Sequence, residues 1–317
     1  MHQGGTGGPG GQLSRQRPSA RAQLKVTLTQ AVTIDVRNSH LSMDSNRDIE
    51  RGGRDARLGR ELVASDCHYF DAGARRYSAG AADLAHLPGF ERIAAGVVVH
   101  RVRSADIVGE PALWVRRVEH GIARLGGALS RWYLDESDTE LARVLAGLGY
   151  SARVELGLVL DADPHRAPSD QRVGLRAITT RAQWAAKLRI HQQSVAGIDD
   201  HATPEQWVAM ERRKCAAGYM RPYLIESAGQ VAGVVNVAVC GSILRMKNLV
   251  IAPAYRRQGV ATSFAAGLAP LAAVMGCAVA GCFAIAGEKG ERVYVGAGYR
   301  LVTRQVEWMK PLPRRGW

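Results

Sequence analysis

The chain has 317 residues, 46% hydrophobic and 22% charged, which excludes a disordered or fibrous protein and suggests about two folded domains. No apolar run reaches the roughly 18 residues of a membrane span, and the five scattered cysteines (Cys67, Cys215, Cys240, Cys277 and Cys282) argue for reduced thiols in a cytoplasm rather than a zinc site or a disulfide framework. The net charge of +13 favours polyanionic partners, and by itself does not choose between nucleic acid and a diphosphate-bearing nucleotide.

The opening MHQGGTGGPGGQ lacks the basic, apolar and small-residue regions of a secretory signal. Residues 1–62 read as a disordered or weakly structured extension. Within them, 1–23 are rich in Gly, Gln, Arg and Ser, and 24–36 alternate apolar and polar like one or two strands. Residues 37–60 return to polar sequence, with Met43 as an alternative start. Residues 63–160 read as a folded domain. Strands are predicted at 96–102, 128–134 and 152–160. Between them, Leu113, Val118, Ile122 and Leu125 fall near helical spacing over 112–126, and a second helix runs over 139–150 to Gly149. DADPHRAPSDQR, residues 161–172, carries two prolines among polar residues and is the expected linker.

The block 173–313 begins with a strand, VGLRAI. Helices follow over 180–195 and 203–218, the second opened by Thr203 with Gln206 three residues on, the pattern of a capping box. Three strands come next, RPYLIES, QVAGVVNVAV and ILRMKNLVIAP. A loop and helix lead from Arg256 to about Met275, then strand CAVAGCFAI, a short helix from Glu288 to Val295, and strand RLVTRQVEW. The order is β-αα-βββ-α-β-α-β.

The chemistry concentrates in Leu249 to Phe264, LVIAPAYRRQGVATSF. A β-branched strand ends at Pro253, which cannot donate to a ladder. A basic, glycine-containing loop then opens directly into a helix. Amides at a helix start have no intrahelical partner, and the helix dipole adds partial positive charge, so a diphosphate fits there. Gly259 permits a close backbone approach, with Ala261 also small. Arg256 and Arg257 add charge, and Thr262 and Ser263 add hydroxyls.

Arg256-Arg257-Gln258-Gly259-Val260-Ala261 resembles the (Gln/Arg)-x-x-Gly-x-(Gly/Ala) acyl-CoA loop of the GNAT superfamily of N-acetyltransferases. Leu249-Val250-Ile251-Ala252-Pro253 looks like that family's fourth strand, and Tyr294-Val295-Gly296-Ala297-Gly298-Tyr299 is similar to its Tyr-x-x-x-Gly-(Phe/Tyr) segment. The resemblance covers about 140 residues. It implies a mixed α/β sheet flanked by helices and acetyl-CoA as acyl donor. It also implies a primary amine as acceptor, whether a small molecule, a peptide N-terminus or a lysine. By the same resemblance the amides from Arg257 to Thr262, with Gln258, Val260 and Ala261 in the loop, would hold the diphosphate. The backbone of Leu249, Val250 and Ile251 would pair with the pantetheine arm, and Tyr294 would protonate the leaving thiolate. No metal is expected.

Two departures leave the base open. Gly287 stands where the family often has Asn, and Arg245-Met246-Lys247-Asn248 offers no carboxylate on the fourth strand. Glu226, His201 and Glu205 are candidates, beside a water relay or an acceptor already neutral. His191 and His201 read as ordinary histidines, and Asp199, Asp200, Glu205 and Glu211 as an acidic patch for a cationic acceptor.

A shift of 150 residues lays Gly109 on Gly259 and Gly126 on Gly276, and a shift of 149 lays Gly149-Tyr150 on Gly298-Tyr299. A tandem is therefore expected: a degenerate GNAT-like copy over 63–160 and an active one over 173–313. Asp106 to Pro111 replaces the basic loop in the first copy, and Leu145 stands in the place of Tyr294. An aminoacyl-tRNA-dependent transferase and a non-catalytic acyl-CoA sensor are the alternatives. The intact loop disfavours the first, and with it a nucleic-acid partner.

Overall fold

A computed structural model describes residues 44–71, 89–93, 96–100, 104–124, 128–166, 173–194 and 203–310. Among these the strands are β1 (Gly89–Ile93), β2 (Gly96–His100), β3 (Ala128–Asp135), β4 (Ser151–Asp161), β5 (Val173–Ala177), β6 (Arg221–Ser227), β7 (Gln230–Cys240), β8 (Ile243–Ile251), β9 (Val279–Ile285) and β10 (Arg300–Met309). The helices are α1 (Asp44–Asp71), α2 (Pro111–Arg124), α3 (Thr139–Gly147), α4 (Arg181–Ser194), α5 (Pro204–Ala216), α6 (Val260–Ala266), α7 (Leu268–Val274) and α8 (Lys289–Gly296). No described helix is long and apolar enough to cross a membrane.

All the strands join one mixed sheet in the order β1-β2-β3-β10-β4-β9-β8-β7-β6-β5. β2 runs parallel to β3 and β8 parallel to β9. The path β1-β2-α2-β3-α3-β4 recurs as β7-β8-α6-α7-β9-α8-β10, so the expected repeat is present as topology. Its glycines match in backbone as well. Gly109 (φ 92°) and Gly259 (φ 76°) precede the crossover helices, and Gly149 (φ 85°) and Gly298 (φ 90°) follow the second helices. Along the chain the copies meet near residues 161–172, but in space they interlock. β10 lies between β3 and β4, and β4 lies between β10 and β9, so the last strand of each copy pairs with the third strand of the other.

One face carries α2, α3 and α6 to α8. Trp114, Val115, Val118 and Ile122 of α2 pack on Trp132 and Leu134 of β3. Val260, Phe264 and Leu268 pack with Leu156, Leu158, Leu160, Leu244 and Met246. Of the helix expected over 112–126, Pro111–Arg124 forms and Leu125 lies outside the described residues; Leu113 is 57% exposed and Trp114 takes the buried position, one residue round the helix. The Thr203–Gln206 capping box forms as expected.

The other face is covered by α1, α4 and α5. Here the expectation for residues 1–62 needs correction. Residues 44–62 belong to α1, and Leu58 and Leu62 are wholly buried against Val159, Ile243 and Val279. Each such burial contributes about 1.5–3 kcal/mol. The helix seats because the sheet beneath it lacks side chains: a Cβ on Gly281 would stand 2.8 Å from Leu62 Cδ1, and one on Gly157 3.1 Å from Leu62 Cδ2. A scan for local apolar runs misses α1 because its polar residues outnumber its two deep anchors. The strands predicted within 24–36 lie outside the described residues.

Candidate active site

β8 and β9 pair only through Ile243–Val279, Leu244–Ala280 and Arg245–Gly281. Beyond that point β8 continues to Ile251 along β7, and β9 continues to Ile285 along β4. The two parallel strands therefore part, leaving a cleft between their C-terminal ends. Burial changes at the same point: Ile243 to Met246 are buried, and Lys247 to Ile251 are half-buried. In the first copy, β2 stays paired with β3 from Gly96 to His100, along the whole of its described length.

A bulge shapes the β8 wall. The β7–β8 register shifts between Val234 and Asn236, and Asn248 sits at φ 55°. The extra residue places both Lys247 and Asn248 on the α1/α5 face and returns Leu249 and Ile251 to the opposite core. Glu211 of α5 accepts from Asn248 Nδ2 at 2.9 Å and holds the bulge. Ala252 N–H donates to Ala232 O of β7 at 2.9 Å. By strand alternation, Val250 also turns its backbone to β7, while Leu249 and Ile251 turn theirs to the cleft. Arg256 Nε donates to the Ile251 carbonyl at 3.0 Å. Of the three backbones expected to meet a pantetheine arm, Val250 is thus engaged by the sheet. Leu249 and the Ile251 N–H face the opening.

The loop after β8 makes a short 3₁₀ turn at Pro253–Tyr255, then Arg257 (φ 62°) and Gly259 (φ 76°) adopt left-handed conformations. The first helical bond of α6 runs from Ser263 N–H to Gly259 O, 2.9 Å. The amides of Val260, Ala261 and Thr262 therefore precede any intrahelical acceptor, and no side chain caps them. Gln258 does not reach toward them, its Nε2 donating to Ala254 O at 2.7 Å. α6 continues into α7 through Gly267, whose N–H bonds Ser263 O at 3.0 Å. The matching helix of the first copy is closed off by its own sequence. Glu110 there accepts from the N–H groups of Ala112 (3.0 Å) and Leu113 (2.7 Å), so a carboxylate occupies the anion position.

Tyr294 lies on α8, buried in the core, its ring 5.6 Å from that of Tyr299. Burial, and less strongly the nearby Cys282, push its phenol well above the usual value, so it stays protonated at neutral pH. Leu145 fills the matching place on α3 and is wholly buried.

The carboxylates singled out as bases lie elsewhere. Glu226 is paired with Arg176 at 2.6 Å at the β5–β6 edge, and exposed Glu205 accepts from Gln192 at 2.7 Å. His201, Asp199 and Asp200 fall outside the described residues. Glu211 is no part of a surface acidic patch. It is fully buried and paired with Lys187 at 2.8 Å. His191, expected to be an ordinary surface or partly buried histidine, is fully buried too, and burial lowers its pKa to about 4, leaving it neutral.

The structure adds a polar layer that sequence reading did not find, on the sheet face beneath α1 and α5. Asp66 of α1 pairs with Arg245 (2.8 Å) and Lys247. Glu307 of β10 pairs with Arg131 (2.6 Å) and Arg153 and accepts from Tyr133 Oη at 2.7 Å. Glu155 of β4 accepts from Gln305 Nε2 at 2.7 Å. These residues are far apart in sequence, so no local motif marks them.

No protein-family model matches the sequence, and no curated protein resembles it. Solved structures do. A GCN5-related N-acetyltransferase from Kribbella flavida matches with a TM-score of 0.55 at 15% identity, over 81% of this chain and 97% of its own. One from Sphaerobacter thermophilus matches with a TM-score of 0.53 at 15% identity, over 70% of this chain and 75% of its own. Both coverages extend past the C-terminal half into the first copy. At this identity the likeness is one of architecture: the chain has the fold of the GCN5-related N-acetyltransferases.

Proposed function

We propose that the chain is an acyl-CoA-dependent N-acyltransferase, moving acetyl from acetyl-CoA to a primary amine, with one active site in the second copy. The carrying observation is that the cleft between β8 and β9 opens beside the uncapped amides of α6, whereas in the first copy β2 stays paired along its described length and Glu110 caps the matching helix start. In this reading the amides from Arg257 to Thr262 take the diphosphate at the positive end of α6. The pantetheine arm lies in the cleft along Leu249 and the Ile251 N–H, which draw charge from the thioester carbonyl as it is attacked. The neutral amine attacks directly, the C–N bond forms and the C–S bond breaks; Tyr294 gives its proton to the departing sulfur and is replenished by the surplus proton of the amide nitrogen. The acceptor class of small molecule, peptide N-terminus or lysine stays open, and a cytoplasmic setting suits the donor.

Calorimetry of acetyl-CoA on the full chain and on Gly259→Glu tests this. The native chain is expected to bind at one site. The variant, with a side chain and a negative charge at a φ of 76°, is expected to lose binding. Equal affinity in both rejects the loop assignment.

A further inference from the structure

We propose that Glu155, supplied by the last strand of the first copy, is the general base that takes the proton from the acceptor amine. The inference rests on the transfer reading above. β4 lies directly beside β9, and Glu155 is paired in register with Ile285, the last residue of β9 and the outer lip of the cleft. Strand alternation sets the side-chain face. Leu156 and Leu158 pack toward α6, whereas Gly157 and Val159 lie under α1, so Glu155 shares the α1 face. The donor's diphosphate site is on the α6 face. Donor and acceptor would thus approach the cleft from opposite faces, with Glu155 on the acceptor's side.

The chemistry of the surroundings singles out this carboxylate. Asp66, Glu211 and Glu307 each form an ion pair with a basic side chain. Among the described residues Glu155 forms none, and its one neutral donor is Gln305 at 2.7 Å. It is half-buried, so it can meet a substrate and afterwards release a proton to water. The groups facing it are Asp66 from α1, Arg245 and Lys247 from β8, and Tyr133 from β3. Glu307 and Gln305 from β10 and Arg153 on its own strand face it too. Burial, then Glu307 and Asp66, raise its pKa to about 7, against the opposing hydrogen bond from Gln305 and the charge of Lys247. Such a base accepts a proton from an ammonium group and returns it near neutral pH.

The step balances. R–NH₃⁺ gives one proton to the Glu155 carboxylate, and the freed lone pair attacks the thioester carbon. When the C–S bond breaks, the sulfur takes a proton through Tyr294, the amide keeps one hydrogen, and Glu155 passes its proton to solvent.

The test uses the full chain, with thiol release from acetyl-CoA measured on phenethylamine, spermidine, Nα-acetyl-lysine amide and tri-alanine. For the best acceptor, Glu155→Gln is expected to lower kcat/KM by about 100-fold or more. It is also expected to leave acetyl-CoA affinity unchanged and to erase the acid limb of the pH profile, while Glu155→Asp keeps a displaced limb. A Tm no lower than native shows that the fold survives. Native-like activity in Glu155→Gln, or an equal loss at every pH, overturns the assignment and leaves the transfer reading standing. Failure of the native chain to bind acetyl-CoA overturns that reading instead. Binding without transfer to any of the four amines overturns both.

Discussion

At the residue scale, two side chains on opposite faces of the sheet are both pushed toward their protonated forms by burial. Tyr294 is held protonated by burial in the core beside Tyr299, so Tyr294→Phe is expected to cut kcat by roughly 100-fold or more. Acetyl-CoA affinity by calorimetry should not change, and a kcat within twofold of native removes Tyr294 from the mechanism. Glu155 is shifted because burial and two neighbouring carboxylates disfavour its charge. Its folded-state pKa of about 7 exceeds the ordinary 4.5, so the native state holds more protons than the unfolded chain between those values. Stability then declines as pH rises through that window, by up to about 1.4 kcal/mol per pH unit. His191 acts in the other direction. Its pKa is lowered from 6.5 to about 4, so stability is lost as pH falls through that range. In Glu155→Gln only the His191 slope should remain, so urea midpoints should rise from pH 5 to about 6.5, where native values stay flat, and level off above it, where native values fall.

At the element scale, α1 decides how the central strands are covered. Its Leu62 sits over Gly157 and Gly281, and Asp66 neutralises Arg245 and Lys247. Leu62→Ala leaves a cavity and is expected to cost about 2–5 kcal/mol. Gly281→Val drives a side chain into that same leucine and should lower the Tm by several degrees with no effect on the isolated loop chemistry. Denaturant melts of the two variants check both values. A Gly281→Val chain as stable as native would mean that α1 can shift off the sheet freely. The two crossover helices illustrate how little sequence separates an anion site from a closed helix start. Glu110 supplies a cap to α2, and Gly259 leaves the start of α6 open.

At the scale of the whole molecule, the interlocked strands make the two copies one folding unit. A fragment beginning near residue 165 holds the whole predicted loop and Tyr294, yet it lacks β4. Without β4, β9 and β10 lose the strand between them, and their facing amides are left unpaired. Such a fragment is expected to be unfolded or aggregated by circular dichroism and size exclusion, and co-expression with residues 44–164 should restore a soluble complex. A monomeric, folded fragment would contradict the interlock.

Local sequence determined much of this protein. Alternating apolar runs placed most strands, and Thr203 with Gln206 placed a helix start. Gly259 with its flanking arginines placed the loop, because each of these signals acts within a few residues of itself. The repeat was legible in its glycines, which backbone geometry demands wherever a helix must open or close. Only the tertiary structure decided the rest. Strand exchange between the copies depends on pairing across about 150 residues, and the parting of β8 from β9 depends on where their pairing stops. The charge state of Glu155 depends on its partial burial and on Asp66 and Glu307, which share no local pattern with it and meet it only because the folded sheet and α1 bring all three together.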